Sequence, residues 1–467
     1  MIPLRASEIA QALNGQLVGA DVTVTSVQTD SRTLAKNDCF LALKGPNFDG
    51  HKFVQQVVSQ GASAVIVESE QSTAVTQIIV KDSHKALGQL GAYVKAKVAP
   101  KTVAITGSSG KTTVKEMVAA ILSRLGNVLA TKGNFNNDIG VPLTLLRLEA
   151  AHEFAVVELG ANHLGEIAYT SSLVKPDVAI INNIAAAHLE GFGDLCGVAR
   201  AKGEIFEGLV SDGVAIYNLD SKYASKWQWR LTDKNVKRFS CADSNEKADA
   251  YSTDVTLNDN GCASFTLNTA IGNCMIELGI PGKHNVCNAV AAATIALEFG
   301  ATLDDIRHGL LAMNTVQGRL NLHQISENIR LIDDTYNANV ESVKAASALL
   351  ASYDGKRILV LGDMGELGSE ARQYHHEVGQ FAAQQSIDHL LTLGVLSQNA
   401  ADAFGDKGQH FDQRAPLVAR LQQLIQEQLI NNEDANIIIL VKGSRSAHME
   451  KVVKDIIEWQ ESIKENG

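Results

Sequence analysis

The chain has no cationic surplus, few cysteines and no long apolar run, and each shortage excludes something. Its 467 residues carry 41 lysines and arginines against 52 aspartates and glutamates, a formal net charge of −11. That balance argues against a general nucleic-acid coat or a partner of anionic membranes, while leaving room for local basic pockets. Six cysteines (Cys39, Cys196, Cys241, Cys262, Cys274 and Cys287) show no CxxC and no metal-finger spacing. The expectation is reduced, partly buried thiols in a cytoplasmic protein. No apolar run approaches the ~18 residues needed to span a bilayer. The opening MIPLRASEIAQ lacks a charged segment followed by an apolar core, so no secretory signal is read there.

What is present suits a soluble chain with several cores: 45% hydrophobic residues, 20% charged, and a length that calls for two or three domains. Residues 1–84 mix short β-like runs (22-VTVTSV-27, 39-CFLAL-43, 64-AVIVE-68) with one helix, 52-KFVQQVVSQG-61, where Gly61 sits at the capping position. A helical stretch from 85 leads to Pro100, a linker candidate. Then come the strand 102-TVAIT-106, a glycine turn and the helix 111-KTTVKEMVAAILSRLG-126. Apolar runs at 154–159, 178–184 and 213–218 alternate with helical segments, which predicts a largely parallel sheet covered by helices. Residues 240–280 read as shorter antiparallel strands, followed by a long alanine-rich helix over 284–300. Past Gly318 the alternation restarts at 329–333, 357–362, 389–394 and 436–443, the pattern of a Rossmann-like domain. The expected fold class is α/β in three domains: a small N-terminal one (1–84), a central phosphate-loop one (85–315) and a C-terminal one (316–467).

The segment 106-TGSSGKTT-113 carries the clearest chemistry. Gly107, Ser108, Ser109 and Gly110 let backbone N–H groups approach phosphate oxygens, and the following helix adds its positive end. Lys111 reaches the β- and γ-phosphates in such loops, Thr112 can hold Mg²⁺, and Thr113 is expected with them at the ATP. The match departs from GxxxxGKT, because Ile105 stands where the first glycine belongs. The glycines of 362-GDMGELG-368 are not spaced GxGxxG and read as a tight turn. Glu158 ends an apolar strand, where a carboxylate either meets a metal or is hydrogen-bonded and buried. His188 taken alone reads as a satisfied loop or core histidine rather than a ligand, since Mg²⁺ prefers oxygen. Lys202 taken alone reads as a solvated helix lysine.

Together 29-TDSR-32, 106-TGSSGKTT-113, 133-GNFNNDIG-140, 158-ELGANH-163, 187-AHLEGFG-193, 201-AKGEIF-206, 282-GKHNVCN-288, 334-DTYNAN-339 and 442-KGSR-445 resemble the Mur ligase family, the ATP-dependent amide ligases of bacterial peptidoglycan synthesis. The segments at 133, 158 and 334 resemble the member that adds D-alanyl-D-alanine to UDP-N-acetylmuramoyl-tripeptide. Val340 and Val114 depart from the usual pattern without touching the inferred chemistry. The resemblance implies ATP and Mg²⁺ as cofactors, with Lys111, His188, Lys202 and Arg319 catalytic. It implies that Asn285 and Asn288 meet adenine, Arg319 the phosphates and Asp334 the ribose, although N-capping is the local alternative for the two asparagines. Thr112 and Glu158 are expected to hold one Mg²⁺, with His188, Glu158 and a carbamylated Lys202 positioning another. Ser31, Arg32 and Lys44 are expected at the UDP-sugar end. Asn134, Asn136, Asn137, Tyr336, Asn337 and Asn339 are expected around the peptide and dipeptide. The competing readings are a ligase adding a single amino acid, a folate polyglutamate ligase, a P-loop ATPase motor or switch, and a catalytically dead nucleotide-binding scaffold. The expected molecule is a cytoplasmic monomer that engages neither nucleic acid nor the membrane interior.

Overall fold

The computed structural model describes residues 1–242, 244–313, 317–431 and 435–466. The central sheet grows from the strand Lys101–Thr106, whose residues after Lys101 are all buried. A strand covered by helices on both faces has no polar side, hence its unbroken apolar run. It pairs in parallel with Phe154–Glu158 on one side and Val178–Ile181 on the other. Val128–Ala130 closes that edge, while Val214–Asn218, Asn235–Phe239 and Ala250–Leu257 continue the sheet in parallel. Cys262–Thr269 and Gly272–Pro281 complete nine strands as antiparallel ribbons. The last two connections are hairpin-like, so these strands reach 8 and 10 residues rather than the shorter ones expected. The strand at 235–239 escaped the sequence reading because lysine and arginine occupy its middle and only Phe239 is buried.

In the N-terminal domain, five short strands form a sheet in the order 16–18, 76–79, 64–67, 39–41, 27–28. The helix read at 52–61 is a 3₁₀ turn, Gly50–Phe53, continuing into Val54–Ser59, and Gly61 follows it at φ +96°. Helix Ser83–Val98 is capped by Asp82, which accepts from Lys85 N at 2.9 Å. It packs on helices Gly140–Leu145 and Glu166–Val174 of the central unit, while Tyr93 Oη donates to Glu8 Oε1 of the first helix. One helix thus joins the two units, and the boundary proposed at 84 falls in its first turn. The boundary proposed at 315 lies outside the described residues.

The C-terminal sheet runs 321–326, 329–334, 437–442, 356–362, 389–393, 408–411, with only its first strand antiparallel. Parallel neighbours require crossovers, which helices Val340–Ala351, Ala371–Gln384 and Arg414–Asn431 supply. Among the described residues no helix is long and apolar enough to cross a membrane.

One expectation is overturned. Cys241 and Cys287 are joined as a disulfide, with Cα atoms 4.8 Å apart, and only Cys39, Cys196, Cys262 and Cys274 are free. Forty-six residues separate the pair in sequence. The strand at 235–239 brings Cys241 to the helix His284–Glu298, which carries Cys287, and spacing alone does not show that.

Candidate active site

The glycine turn ends at Gly110, φ +74°, which hands the chain to helix Lys111–Leu122. That left-handed conformation costs glycine little and aims the helix N-terminus into the turn. Lys111 folds back, its Nζ donating to Gly107 O at 2.8 Å. Desolvation pushes the Lys111 ammonium below its ordinary value; Glu158 and Glu366 oppose that shift and Arg319 adds to it. The Thr112 hydroxyl donates to Glu158 Oε2 at 2.8 Å and accepts from Arg319 Nη2 at 3.0 Å. Glu158 is 2% exposed, and its second oxygen accepts from Asn136 Nδ2 at 2.7 Å. Of the asparagines expected around the peptide, Asn136 therefore orients the carboxylate at the strand end. Ser108 Oγ donates to Ala185 O at 3.0 Å, and Ser109 N donates to Asn183 Oδ1 at 2.8 Å. Thr113 lies in the helix's first turn.

Lys202 is not a solvated lysine. It is 1% exposed near the end of helix Leu195–Gly203, whose start is capped by Asp194 accepting from Gly197 N. Burial holds its amine well below the ordinary lysine value; Lys111 deepens the shift and Glu158 opposes it. His188 adopts φ +55°, a left-handed conformation uncommon outside glycine. Its Nδ1 lies 2.5 Å from Glu366 Oε2 of the C-terminal domain, an ion-pair contact that lacks hydrogen-bond alignment. Glu366 is itself at φ +62°. The Glu366 carboxyl is held below its ordinary value by His188, with burial opposing and Lys111 assisting. Sequence reading missed Glu366, because the glycines around it signalled only a turn. A cleft of about 610 Å³ opens beside this contact, lined by Leu189, Glu190, Asp194, Leu195, Gly368 and Tyr374 among others. None of the candidate asparagines lines it.

The C-terminal domain supplies the other half. Arg319 stacks over the Tyr336 ring, 4.2 Å from its centroid, while reaching Thr112. Asn339 caps helix Val340–Ala351 by accepting from Ser342 N, and its Nδ2 donates to Ser108 O at 3.3 Å. Asn339 thus touches the phosphate loop. Asn337 is exposed, and its Oδ1 accepts from Ala338 N. Lys442 Nζ meets Asp334 Oδ2 at 2.5 Å and donates to Asn337 O at 2.9 Å. Asp334 also faces His284, at the start of helix His284–Glu298. Surrounding protein desolvates that imidazole and lowers its pKa, although part of the residue still reaches solvent; Asp334 opposes the shift and Lys442 adds to it. Lys442 is 3% exposed in its side chain, so removing its charge strands Asp334 in a dry setting. Lys442→Met is expected to destabilise the fold by about 3 kcal/mol, read as a lowered denaturation midpoint. An unchanged midpoint would mean that water already satisfies Asp334.

Other expected site residues stay apart. Arg32 is exposed and pairs with Asp30 at 2.7 Å, holding that carboxyl down to about 2. Ser31 lies beside it in the chain, partly exposed. Lys44 Nζ stands 4.0 Å from Glu68. Asn137 Oδ1 accepts from Gly140 N, a helix-start contact, and Asn134 is exposed on the same loop. Asn134 O accepts from Asn136 N at 2.7 Å, so this loop meets the cluster around Lys111 through Asn136.

Among the described residues, no group of three or more histidine, cysteine, aspartate or glutamate side chains forms a ready metal cage. Thr112 and Glu158 present a hydroxyl and a carboxylate side by side. That set suits a hard cation sharing its remaining positions with phosphate and water. A protonated Lys202 does not fit beside such an ion.

A phosphate loop on a parallel sheet, approached by an arginine and an asparagine from a second α/β domain, defines a nucleotide-using enzyme with its site between domains. The chain belongs to the Mur ligase family. Three family models match it: "Mur ligase family, catalytic domain" over 23–98, "Mur ligase middle domain" over 105–296, and "Mur ligase, glutamate ligase domain" over 318–445. The chain is 48% identical to UDP-N-acetylmuramoyl-tripeptide--D-alanyl-D-alanine ligase of Escherichia coli over 467 residues, covering 100% of both. A crystal structure of MurF from Acinetobacter baumannii superposes with a TM-score of 0.92 at 40% identity, covering 98% of this chain and 99% of that one. The MurF ligase of Thermotoga maritima in complex with ADP superposes at 0.80, with 26% identity, covering 94% and 98%.

Proposed function

We propose that this protein joins D-alanyl-D-alanine to UDP-N-acetylmuramoyl-tripeptide through an acyl phosphate, releasing ADP and phosphate. The observation that carries the reading is the convergence on one phosphate loop of Lys111, Thr112 and Glu158 from the central domain with Arg319 and Asn339 from the C-terminal one. A carboxylate does not condense with an amine near neutral pH, because its oxygen is a poor leaving group. The tripeptide carboxylate therefore takes the γ-phosphoryl group: a C–O–P linkage forms, the γ-phosphorus–oxygen bond to ADP breaks, and ADP departs. The amine of the dipeptide then adds to the acyl carbon and loses a proton. The tetrahedral adduct collapses by breaking the C–O bond to phosphate.

Phosphoryl transfer asks for positioning and charge neutralisation more than for covalent chemistry. Lys111 and Arg319 supply fixed positive charge, and Asp334 takes the ribose. Asn285 and Asn288 face the base. Thr112 and Glu158 would hold one Mg²⁺, and Glu158, His188 and carbamylated Lys202 another; the ions' chemistry is to screen phosphate charge. Burial favours the carbamate, since CO₂ adds only to a neutral amine (R–NH₂ + CO₂ → R–NH–COO⁻ + H⁺). Docking of the C-terminal domain excludes water that would hydrolyse the acyl phosphate. Ser31, Arg32 and Lys44 hold the UDP-sugar end on the N-terminal domain. Asn134, Asn137, Tyr336 and Asn337 line the peptide path.

The test is ADP and phosphate release from Mg²⁺-ATP, UDP-N-acetylmuramoyl-tripeptide and D-Ala-D-Ala, omitting each component in turn. The expected result is release that needs both the tripeptide and the dipeptide, with a pentapeptide product by mass. Release indifferent to either one would sink the proposal in favour of a plain ATPase.

A further inference from the structure

The phosphate loop lacks the glycine that opens the general pattern, and the structure shows what holds its shape instead. The strand Val178–Ile181 runs on into Asn182 and Asn183, directly beneath the loop. Asn183 grips Ser109 by both ends: its Oδ1 accepts from Ser109 N at 2.8 Å and its Nδ2 donates to Ser109 O at 3.0 Å. Asn182, which is fully buried, does something different. Its Nδ2 donates to Ser109 O at 3.1 Å and also to Asn288 Oδ1 at 3.0 Å. Asn288 Nδ2 donates to Asn285 Oδ1 at 2.9 Å, and Asn285 Nδ2 donates to Pro281 O at 2.7 Å.

Three buried carboxamides therefore form one directed chain from the phosphate loop to the first turn of helix His284–Glu298. Its direction is fixed at both ends by backbone carbonyls, Ser109 O and Pro281 O, which only accept. Pro281 O obliges Asn285 to turn its amino group outward, which leaves Asn285 Oδ1 facing Asn288. Asn288 must then present its own amino group there, so its oxygen turns toward Asn182. No member can flip without placing two donors or two acceptors face to face. The loop is shaped around this chain: a Cβ on Gly110 would lie 2.5 Å from Asn288 Oδ1 and 2.7 Å from Asn182 Nδ2. One acceptor, Asn182 Oδ1, remains buried without a protein partner.

We infer that Asn182 is a positioning residue that supplies the loop-end lock on the carboxamides of Asn288 and Asn285, which Pro281 O holds from the other end only, and so sharpens which base the nucleotide site accepts. The inference rests on the proposed reading in which those two asparagines face adenine. Adenine presents an amino donor beside a ring-nitrogen acceptor, and hypoxanthine presents a carbonyl acceptor beside a ring N–H. A carboxamide locked in one orientation distinguishes these edges. A carboxamide free to turn over by about 180° can satisfy either. Asn183, which grips the loop but has no link to the helix, is the internal control.

The experiment is calorimetric titration of ATP and of inosine triphosphate, each with Mg²⁺, into the full chain and its Asn182→Leu and Asn183→Ala variants. Leucine has similar volume but brings neither a donor nor a charge. The expected result is a wild-type preference for ATP that falls about tenfold in Asn182→Leu, a shift equivalent to about 1.4 kcal/mol. Asn183→Ala is expected to weaken both nucleotides by one common factor. A preference that survives Asn182→Leu overturns the inference alone. If the wild type shows no preference, the base-contact reading falls and the inference with it. Should Asn182→Leu fail to fold by thermal melting, Asn182→Ser is read by the same ratio.

Discussion

Replacing Lys111 with alanine is expected to lower turnover by on the order of 10³-fold or more while leaving the fold intact. The ammonium sits at the N-terminus of helix Lys111–Leu122, where the backbone N–H groups that meet phosphate are already aimed. Its Nζ donates to Gly107 O at 2.8 Å, a contact that phosphate oxygens can displace. Charge developing on the transferring group is stabilised in a desolvated site, where one fixed cation counts for more than it would in water. Lys111→Arg is not a conservative rescue, because the planar fork needs room that the turn around Gly107 and Gly110 does not give. The check is single-turnover ADP release alongside a melting curve. Retention of substantial tripeptide-dependent release by Lys111→Ala would remove the phosphate loop from the mechanism.

Lys202→Ala is expected to lose activity on a comparable scale, for a different reason. An ammonium within about 4 Å of a cation is opposed by ~4 kcal/mol per unit of charge at an effective dielectric near 20. On the proposed reading the side chain contributes only once CO₂ has reversed its charge. Burial keeps the amine uncharged enough to react, and Glu158 and Lys111 lie close enough for their charges to act on it. Two readouts separate this role from simple packing. Short carboxylic acids added to the Lys202→Ala enzyme are expected to restore part of the rate, since they place an anion where the carbamate stood. Enzyme equilibrated with ¹³C-bicarbonate is expected to show a carbamate carbon resonance that Lys202→Ala lacks. Full activity in Lys202→Ala, or neither rescue nor resonance, would return Lys202 to a structural role.

The sequence by itself determined a good deal. The alternation of apolar runs with helical stretches forced parallel sheets with crossovers, because parallel strands cannot be joined by tight turns. The turn at 107–113 announced a phosphate site, since glycines, a lysine and hydroxyls followed an apolar strand and opened a helix. Glu158 was readable as a strand-end carboxylate. All of these are local patterns, written within about one element and its neighbour.

The tertiary structure alone decided the rest. Arg319 reaches Thr112 across 207 residues of sequence, and Asn182 reaches Asn288 across 106. No periodicity encodes such pairs, because the sheet order and the docking of the C-terminal domain bring them together. Lys202 read as a solvated lysine until its helix was seen to bury it. Glu366 was hidden among glycines, and Cys241 and Cys287 gave no sign of their contact. Local sequence fixes which backbone a segment adopts and which face it buries. Which charges and amides finally meet is settled by the packing of whole elements, where an unpaired buried donor or acceptor costs ~1–3 kcal/mol.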